Sequence, residues 1–374
     1  MNALYISPHL SARHFGGSLF AATNLELLRS ALGAPVTAAS ISRDPHPDAL
    51  PVPTTKDRLG TALANLQGLC ATLAPSGVAY LRELLMRERP TLVWLDTSLL
   101  GRLIPLIRCL LPETRVICAF QNVETELIRQ RLVSGQLHYL PAWSATWLNE
   151  RRSARESDIT LALHATDGDL IARRYGRAVD RIFPIIVTEP RASKPTPDAE
   201  PDAGDPYVLF VGSAFPPNLE ALEFISRDIT PALRRFRVVA VGNGLDRWAS
   251  RQHHPKLEVR GFVDDLAALY RNAAAVIAPI YSGGGMKVKI AEALMHGKSV
   301  IASPFAAIGF EGCAATSVRL AHSVEAFAAQ IEGLGGECYS ASARADYDRL
   351  FSRTAGLGQV GEILALLDAK TCSG

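Results

Sequence analysis

The chain has 374 residues, 48% of them hydrophobic and 20% charged, which excludes a disordered polymer and exceeds what one core usually spans, so two domains are expected. A net charge of +2 excludes a nucleic-acid binder that works through a strong overall field. Cys70, Cys109, Cys118, Cys313, Cys338 and Cys372 show no CxxC or metal-ligand spacing, so reduced thiols in a cytoplasmic protein are expected, with no disulfide framework and no metal site.

In chain order, Ala3–Ser7 reads as a short strand, Gly16 and Gly17 as a loop, and Leu19–Leu32 as an amphipathic helix. No basic n-region or long apolar stretch precedes the first strand, and the richest apolar span, Leu92–Leu111, is interrupted by Asp96, Arg102 and Arg108; neither secretion nor membrane spanning is expected. Apolar runs at Thr91–Leu95, Arg115–Phe120, Ile159–Leu163 and Ile182–Val187 have the character of buried strands of a parallel sheet. Between them, Arg129, Arg131, Arg151, Arg152 and Arg155 accompany Trp143, Trp147 and Tyr139, a mixture suited either to an anionic membrane surface or to an ordinary amphipathic helix packed on the sheet.

Residues 191–206, rich in Pro, Asp and small side chains, read as a linker. Beyond it the alternation resumes, with strands expected at Tyr207–Val211, Phe236–Val241, Leu257–Val259, Ala275–Ala278 and Ser299–Ile301, separated by helices. Asp264 and Asp265 read as an N-cap. The expected organisation is an N-terminal domain over 1–190, the linker, a C-terminal domain over 207–345, and a helical region over 346–374 that packs back on the first domain. Each half is α/β and doubly wound, and ligands of such sheets lie at the carboxyl ends of the strands, here expected in a cleft between the domains.

The most informative stretch is 274–303. An apolar strand enters Gly283, Gly284 and Gly285, and a helix opens near Met286 carrying Lys287, Lys289 and Glu292. Glycines permit turn dihedrals and close backbone approach, while a helix start offers unpaired N–H groups and the positive end of its dipole, together a phosphate site. At about 1.5 Å per residue, Glu292 lies roughly 9 Å further along the helix, a reach suited to a ribose. Gly297 is the expected C′ stop. The same residues also fit a plain turn before a helix with a solvated Lys289–Glu292 pair.

The runs FVGSAFPPNLEAL, VVAVGNG and VRGFVDDLAALYRNAAAVIAPIYSGGGMKVKIAEALMHGKSVIAS resemble the donor-binding half of family 4 glycosyltransferases of the GT-B fold, in the subgroup with a GGGxxxKxxEA signature. The resemblance continues through the first half in Gly16–Gly17 and FQNVETEL. It implies two Rossmann-like domains facing a cleft and a nucleoside diphosphate sugar held by the C-terminal domain. It further implies a glycan or polyprenyl-linked acceptor on the N-terminal domain, retention of configuration, no cofactor and no metal. Bacterial surface polysaccharide assembly, in the cytoplasm or on the inner face of the membrane, would fit.

Position by position, Glu292 corresponds to the ribose-binding glutamate that ends the family's E-x7-E motif, and Gly284 stands where its first glutamate would. Gly16 and Gly17 match the loop over the diphosphate. Gly212 follows the first C-terminal strand, and Gly261, Phe262 and Val263 lie where main chain meets the base. In relatives an Arg and a Lys after that first strand neutralise the diphosphate; SAFPPN has neither, which assigns the charge to Lys287 or Lys289, helped by Arg13. Similar sequences read HNVE where this chain reads QNVE, replacing with Gln121 a histidine that contacts the donor sugar. Glutamine cannot act as a base, but a front-face retaining transfer lets the leaving phosphate take the proton. His14, Asn122 and Glu124 are the expected acceptor-side residues. A sugar-nucleotide epimerase or hydrolase of the same fold, or a non-catalytic nucleotide-sugar binding module, are the alternative readings.

Overall fold

The computed structural model describes residues 2–12, 16–189, 206–249, 254–335 and 338–371. The chain divides into two units, Met1–Pro184 with Gly356–Gly374, and Ile185–Ala355.

Unit 1 is built on a seven-stranded parallel sheet of β1 (Ala3–Ser7), β2 (Val36–Ser40), β3 (Leu50–Pro51), β4 (Leu92–Leu95), β5 (Arg115–Phe120), β6 (Ile159–Ala162) and β7 (Arg181–Ile182), in the order β3-β2-β1-β4-β5-β6-β7. β1, β4 and β6 are buried at every residue and β5 at all but Arg115, as continuous apolar runs require when helices cover both faces. Its helices are α1 (Gly16–Leu32), α2 (Arg58–Leu66), α3 (Pro75–Glu88), α4 (Leu103–Leu110), α5 (Glu124–Val133), α6 (Leu140–Glu156) and α7 (Ala165–Tyr175). The expected strand over Ile182–Val187 pairs only through Ile182, because Pro184 has no N–H to continue a ladder. Gly16 and Gly17 are the first turn of α1 rather than a loop.

Unit 2 carries a six-stranded parallel sheet of β8 (Tyr207–Val211), β9 (Arg237–Val241), β10 (Leu257–Arg260), β11 (Ala275–Ala278), β12 (Val300–Ala302) and β13 (Val318–Leu320), in the order β10-β9-β8-β11-β12-β13. Its helices are α8 (Pro216–Phe224), which runs through a π-turn at Ile225–Ile229 into α9 (Thr230–Ala232), then α10 (Asp246–Ala249), α11 (Leu266–Asn272), α12 (Val288–Met295), α13 (Val324–Glu332) and α14 (Ala341–Leu350). The last helix, α15 (Arg353–Thr371), carries the chain from unit 2 into unit 1. There Lys370 donates to the backbone oxygen of Asp158 at 3.0 Å and pairs with the Asp180 carboxylate.

Both strand orders reverse direction once, between β1 and β4 in unit 1 and between β8 and β11 in unit 2. Crossovers leave the sheet on opposite faces at such a break, opening a crevice at the strands' carboxyl ends. The polar residues of interest follow those four strands and the neighbouring β5 and β9. Residues 190–205, which hold most of the expected linker, Arg13, His14 and Cys372 lie outside the described residues.

Candidate functional site

In unit 2 the chain leaves β8 at Gly212, and the next turn delivers Pro216 and Pro217 to the start of α8. A side chain at Gly212 is impossible without displacement. Its Cβ would stand 2.9 Å from Lys289 Nζ and 2.8 Å from Asn218 Cγ. Gly242, after β9, is packed so closely that a Cβ there would overlap the Gly212 carbonyl oxygen, and its N–H donates to Gly261 O at 3.2 Å. Gly261, Gly242, Gly212 and Lys289 therefore form a continuous row across three adjacent strand ends, with main chain exposed where side chains would block it.

The loop after β11 completes this wall. Gly283 and Gly285 adopt φ of +99° and +60°, conformations that a residue with a Cβ reaches only with strain. The loop is fixed against α8 by Ser282 Oγ, which donates to Glu220 Oε2 at 2.6 Å, and Gly283 stands beside Pro217. Buried Met286 anchors the loop from below. The helix opens at Val288, two residues beyond Met286, with Lys287 as N-cap and no side chain capping its first N–H groups, and it stops at Gly297, the expected C′ position.

The two lysines have different fates. Lys287 Nζ donates back to the carbonyls of Gly284 at 3.0 Å and Gly285 at 2.9 Å and sits over the Phe305 ring, so its charge is tied to the loop it leaves. Lys289 Nζ instead donates to Asn218 Oδ1 at 2.7 Å and lies 4.6 Å from the centre of the Phe210 ring, directly above Gly212. Burial, with Lys287 nearby, lowers its pKa to about 7 against a smaller opposing pull from Glu292. A buried cation without a counter-ion at hydrogen-bond distance is costly, and an incoming anion relieves that cost.

Glu292, half-buried on α12, has its pKa raised by burial, opposed by Lys289 and Tyr270. The Tyr270 hydroxyl lies against it, is fully buried and makes no hydrogen bond of normal geometry among the described residues. The Tyr270 ring stacks on His296 at 4.5 Å. Of the residues expected near the base, Gly261 packs against Asp246, Val263 is half-buried, and Phe262 is 75% exposed. Asp265 is the N-cap of α11, accepting from Ala268 N at 2.9 Å. Asn218, Gly242 and Tyr270 were not singled out by the sequence; the glycine after VVAV was the available signal for Gly242.

Unit 1 gathers acceptors where unit 2 gathers donors. Gln121, at the end of β5, is buried and donates to Asp96 at the end of β4. Asn122 Nδ2 donates to Glu124 Oε1 at 3.1 Å. Glu124 is half-buried rather than an ordinary exposed helix residue, and burial raises its pKa to about 7. It opens α5, whose N-terminus is capped from another helix. Glu150 Oε1 accepts from Glu124 N at 2.7 Å, and Oε2 from Thr125 N at 3.2 Å, Thr125 Oγ1 at 2.6 Å and Tyr175 Oη at 2.7 Å. Gly16 and Gly17 open α1, the helix that follows β1.

The arginine-rich segment is largely committed inside the unit. Arg129 pairs with Glu126, Arg131 donates to Tyr139 Oη, Arg155 donates to Tyr175 O, and Arg151 lies over Trp147, itself packed on the core. Among the described residues no helix is long and apolar enough to cross a membrane, no group of side chains is arranged to hold a metal, and the cysteines are free.

The row of strand-end glycines and the loop before α12 fall inside one recognisable segment. Residues 205–335 match the model of the family described as glycosyl transferases group 1. No curated protein matches the chain. Among solved structures, the chain is similar to sucrose-phosphate synthase from Thermosynechococcus elongatus, with 16% identity, 99% of each chain covered and a TM-score of 0.72. It is similar to Anabaena HepE in complex with UDP-glucose, with 13% identity, 98% of this chain and 99% of that one covered and a TM-score of 0.66. It is also similar to WaaG, a glycosyltransferase involved in lipopolysaccharide biosynthesis, with 14% identity, 96% and 99% covered and a TM-score of 0.64. These likenesses run the length of both units and bear out the expected fold, two parallel-sheet α/β domains of the GT-B type.

Proposed function

We propose that the protein is a retaining glycosyltransferase of the GGGxxxKxxEA subgroup of family 4. It moves a hexose from a nucleoside diphosphate sugar to a glycan or polyprenyl-linked acceptor, as bacterial surface polysaccharide assembly requires. Unit 2 takes the donor and unit 1 the acceptor. The observation that carries this reading is Lys289, an amine held by Asn218 above Gly212 with no counter-ion at hydrogen-bond distance among the described residues, beside a glycine loop and an uncapped helix start. Backbone N–H groups and Lys289 together stabilise the diphosphate and, as the bond to the sugar breaks, the charge that grows on it. Glu292, further along α12, accepts from the ribose hydroxyls. In this reading the lysine supplies the positive charge, so neither metal nor cofactor is called for, and the leaving phosphate takes the acceptor proton. The match of 205–335 to glycosyl transferases group 1, and the UDP-glucose in the HepE structure, support a nucleotide sugar as ligand.

A membrane-linked acceptor is supported by α2, which buries only Ala64 and exposes Leu59, Leu63 and Leu66 on one helical stripe, with Lys56 and Arg58 at its start. In this reading the enzyme attaches peripherally through α2, on the inner face of the cytoplasmic membrane.

The test is thermal stabilisation across a panel of nucleoside diphosphates and their sugars, since a ligand of the folded state raises the melting temperature by mass action. Selective stabilisation by one base is expected. Stabilisation by none would overturn the reading. Turnover of donor without acceptor would favour a hydrolase or epimerase, and binding without turnover a binding module.

A further inference from the structure

A cavity of about 320 Å³ opens at the other end of the unit 2 sheet, where Ser299 and Thr316 lead into β12 and β13 and α14 begins. The strands are parallel, so this end lies away from the glycines that follow β8, β9 and β10. Arg319, half-buried on β13, lines the cavity and has no hydrogen bond, ion pair or ring contact among the described residues. Ser299, 8% exposed, lines it as well, and its hydroxyl has no partner among the described residues. At the start of α14, Ser340 Oγ accepts from Ala343 N at 3.3 Å, whereas the N–H groups of Ala341 and Ser342 have no partner among the described residues. Thr316 Oγ1 and Ser342 Oγ lie 3.1 Å apart, as do Ser342 Oγ and Ser340 Oγ. Three hydroxyls joined by two hydrogen bonds use two of their three hydrogens, whichever way each bond runs, so one O–H is left to donate outward. Among the described residues no carboxylate lines the cavity.

We propose that this cavity binds the phosphate group of a small phosphomonoester, at a site separate from the glycine row. A half-buried cation without a partner and unsatisfied N–H groups at a helix start both favour an anion. The donors come from β13, from the residue before β12 and from the start of α14. A planar carboxylate matches the guanidinium fork alone, whereas a tetrahedral phosphate takes the fork on one side and accepts from hydroxyls and main chain on the others. At about 320 Å³ the cavity stands near the lower end of ligand pockets, roughly 300–1,000 Å³, which suits a metabolite-sized ester. Inorganic phosphate presents the same oxygens, so the test separates the ester from the free ion. The inference uses none of the side chains assigned to the nucleotide sugar and stands whether or not the protein transfers one.

The test is calorimetric titration of the full-length protein with glycerol 3-phosphate and with inorganic phosphate. Wild type and Lys289→Met, in which the glycine row has lost its amine, are expected to bind glycerol 3-phosphate alike. Arg319→Met should weaken that binding at least about tenfold, because it removes a charged, two-pronged donor. Thr316→Val, at an exposed position, keeps the shape and breaks the hydroxyl chain, and should weaken binding at least about twofold. It carries the test should Arg319→Met fail to fold. The ester is expected to bind at least about threefold more tightly than inorganic phosphate, and equal affinities would overturn the assignment to an ester. No binding of either, binding lost in Lys289→Met, or binding unchanged in both Arg319→Met and Thr316→Val would overturn the site. Failure of the protein to bind any nucleotide would bear on the proposed function alone.

Discussion

At the break in unit 1 the groups facing the strand ends are Ser7, Asp96 and Gln121, whereas at the break in unit 2 they are Gly212, Asn218 and Lys289. The first set is buried carboxylate and amide, held by side chains that satisfy one another. The second is bare backbone under a lysine whose charge is poorly compensated. Unit 1 is thus assembled by internal hydrogen bonds, and unit 2 keeps an electrostatic deficit that, in the proposed reading, a diphosphate fills. One region pairs its polar groups internally, and the other leaves a buried amine with one neutral hydrogen-bond partner among the described residues.

Mutations can break this contrast, and the largest effect is expected at Glu150, fully buried and accepting from the start of α5 and from Tyr175. Glu150→Ala leaves these donors unsatisfied and should cost about 3–5 kcal/mol in denaturant unfolding. A loss below about 1 kcal/mol would show that the side-chain network is not what orders unit 1.

Next is Gly242→Ala, whose Cβ meets the Gly212 carbonyl. Overpacking against main chain should cost roughly 1–3 kcal/mol and shift the Gly212 turn, so nucleotide binding falls with stability. Unchanged binding in calorimetry would remove Gly242 from the wall of the site.

Lys289→Met should separate the two properties. Because burial holds its folded-state pKa at about 7, below the unfolded value, the lysine charge destabilises the fold fully below pH 7 and progressively less as pH rises toward the unfolded pKa. Removing it is therefore expected to leave the melting temperature at pH 7 unchanged or raised, while binding weakens by about 1.5–3 kcal/mol, roughly ten- to 150-fold. Equal losses of stability and affinity would contradict the assignment. The smallest effect is expected for a Leu59→Ser, Leu63→Ser, Leu66→Ser triple variant. It should fold and bind nucleotide as the wild type does and pellet at least about threefold less with anionic vesicles. Undiminished pelleting would rule out α2 as the contact.

The same contrast explains what the sequence disclosed. The glycine run, Lys289 and Glu292 lie within one strand–turn–helix unit, so local spacing carries the site and most strand positions follow from apolar runs. Asn218, Gly242 and Tyr270 reach it only through the pairing of β8 with β9 and β11, which spacing does not reveal. Asp96 looked like a charge interrupting an apolar span. Its partners Ser7 and Gln121 are 89 and 25 residues away and meet it only through the register of three parallel strands. Val36–Ser40 and Val318–Leu320 were missed because their strands are short and mix small or polar residues with the apolar ones.

The most direct test of the central claim is calorimetric titration of wild type and Lys289→Met with the nucleotide sugar that stabilises the protein, at pH 7.5 in buffers of different ionisation enthalpy. Lys289 is largely neutral there when the site is empty and regains its proton beside a diphosphate. The account predicts proton uptake on binding, affinity that falls as pH rises above 7, and loss of both in Lys289→Met. Binding that is independent of pH and undiminished in the variant would contradict it.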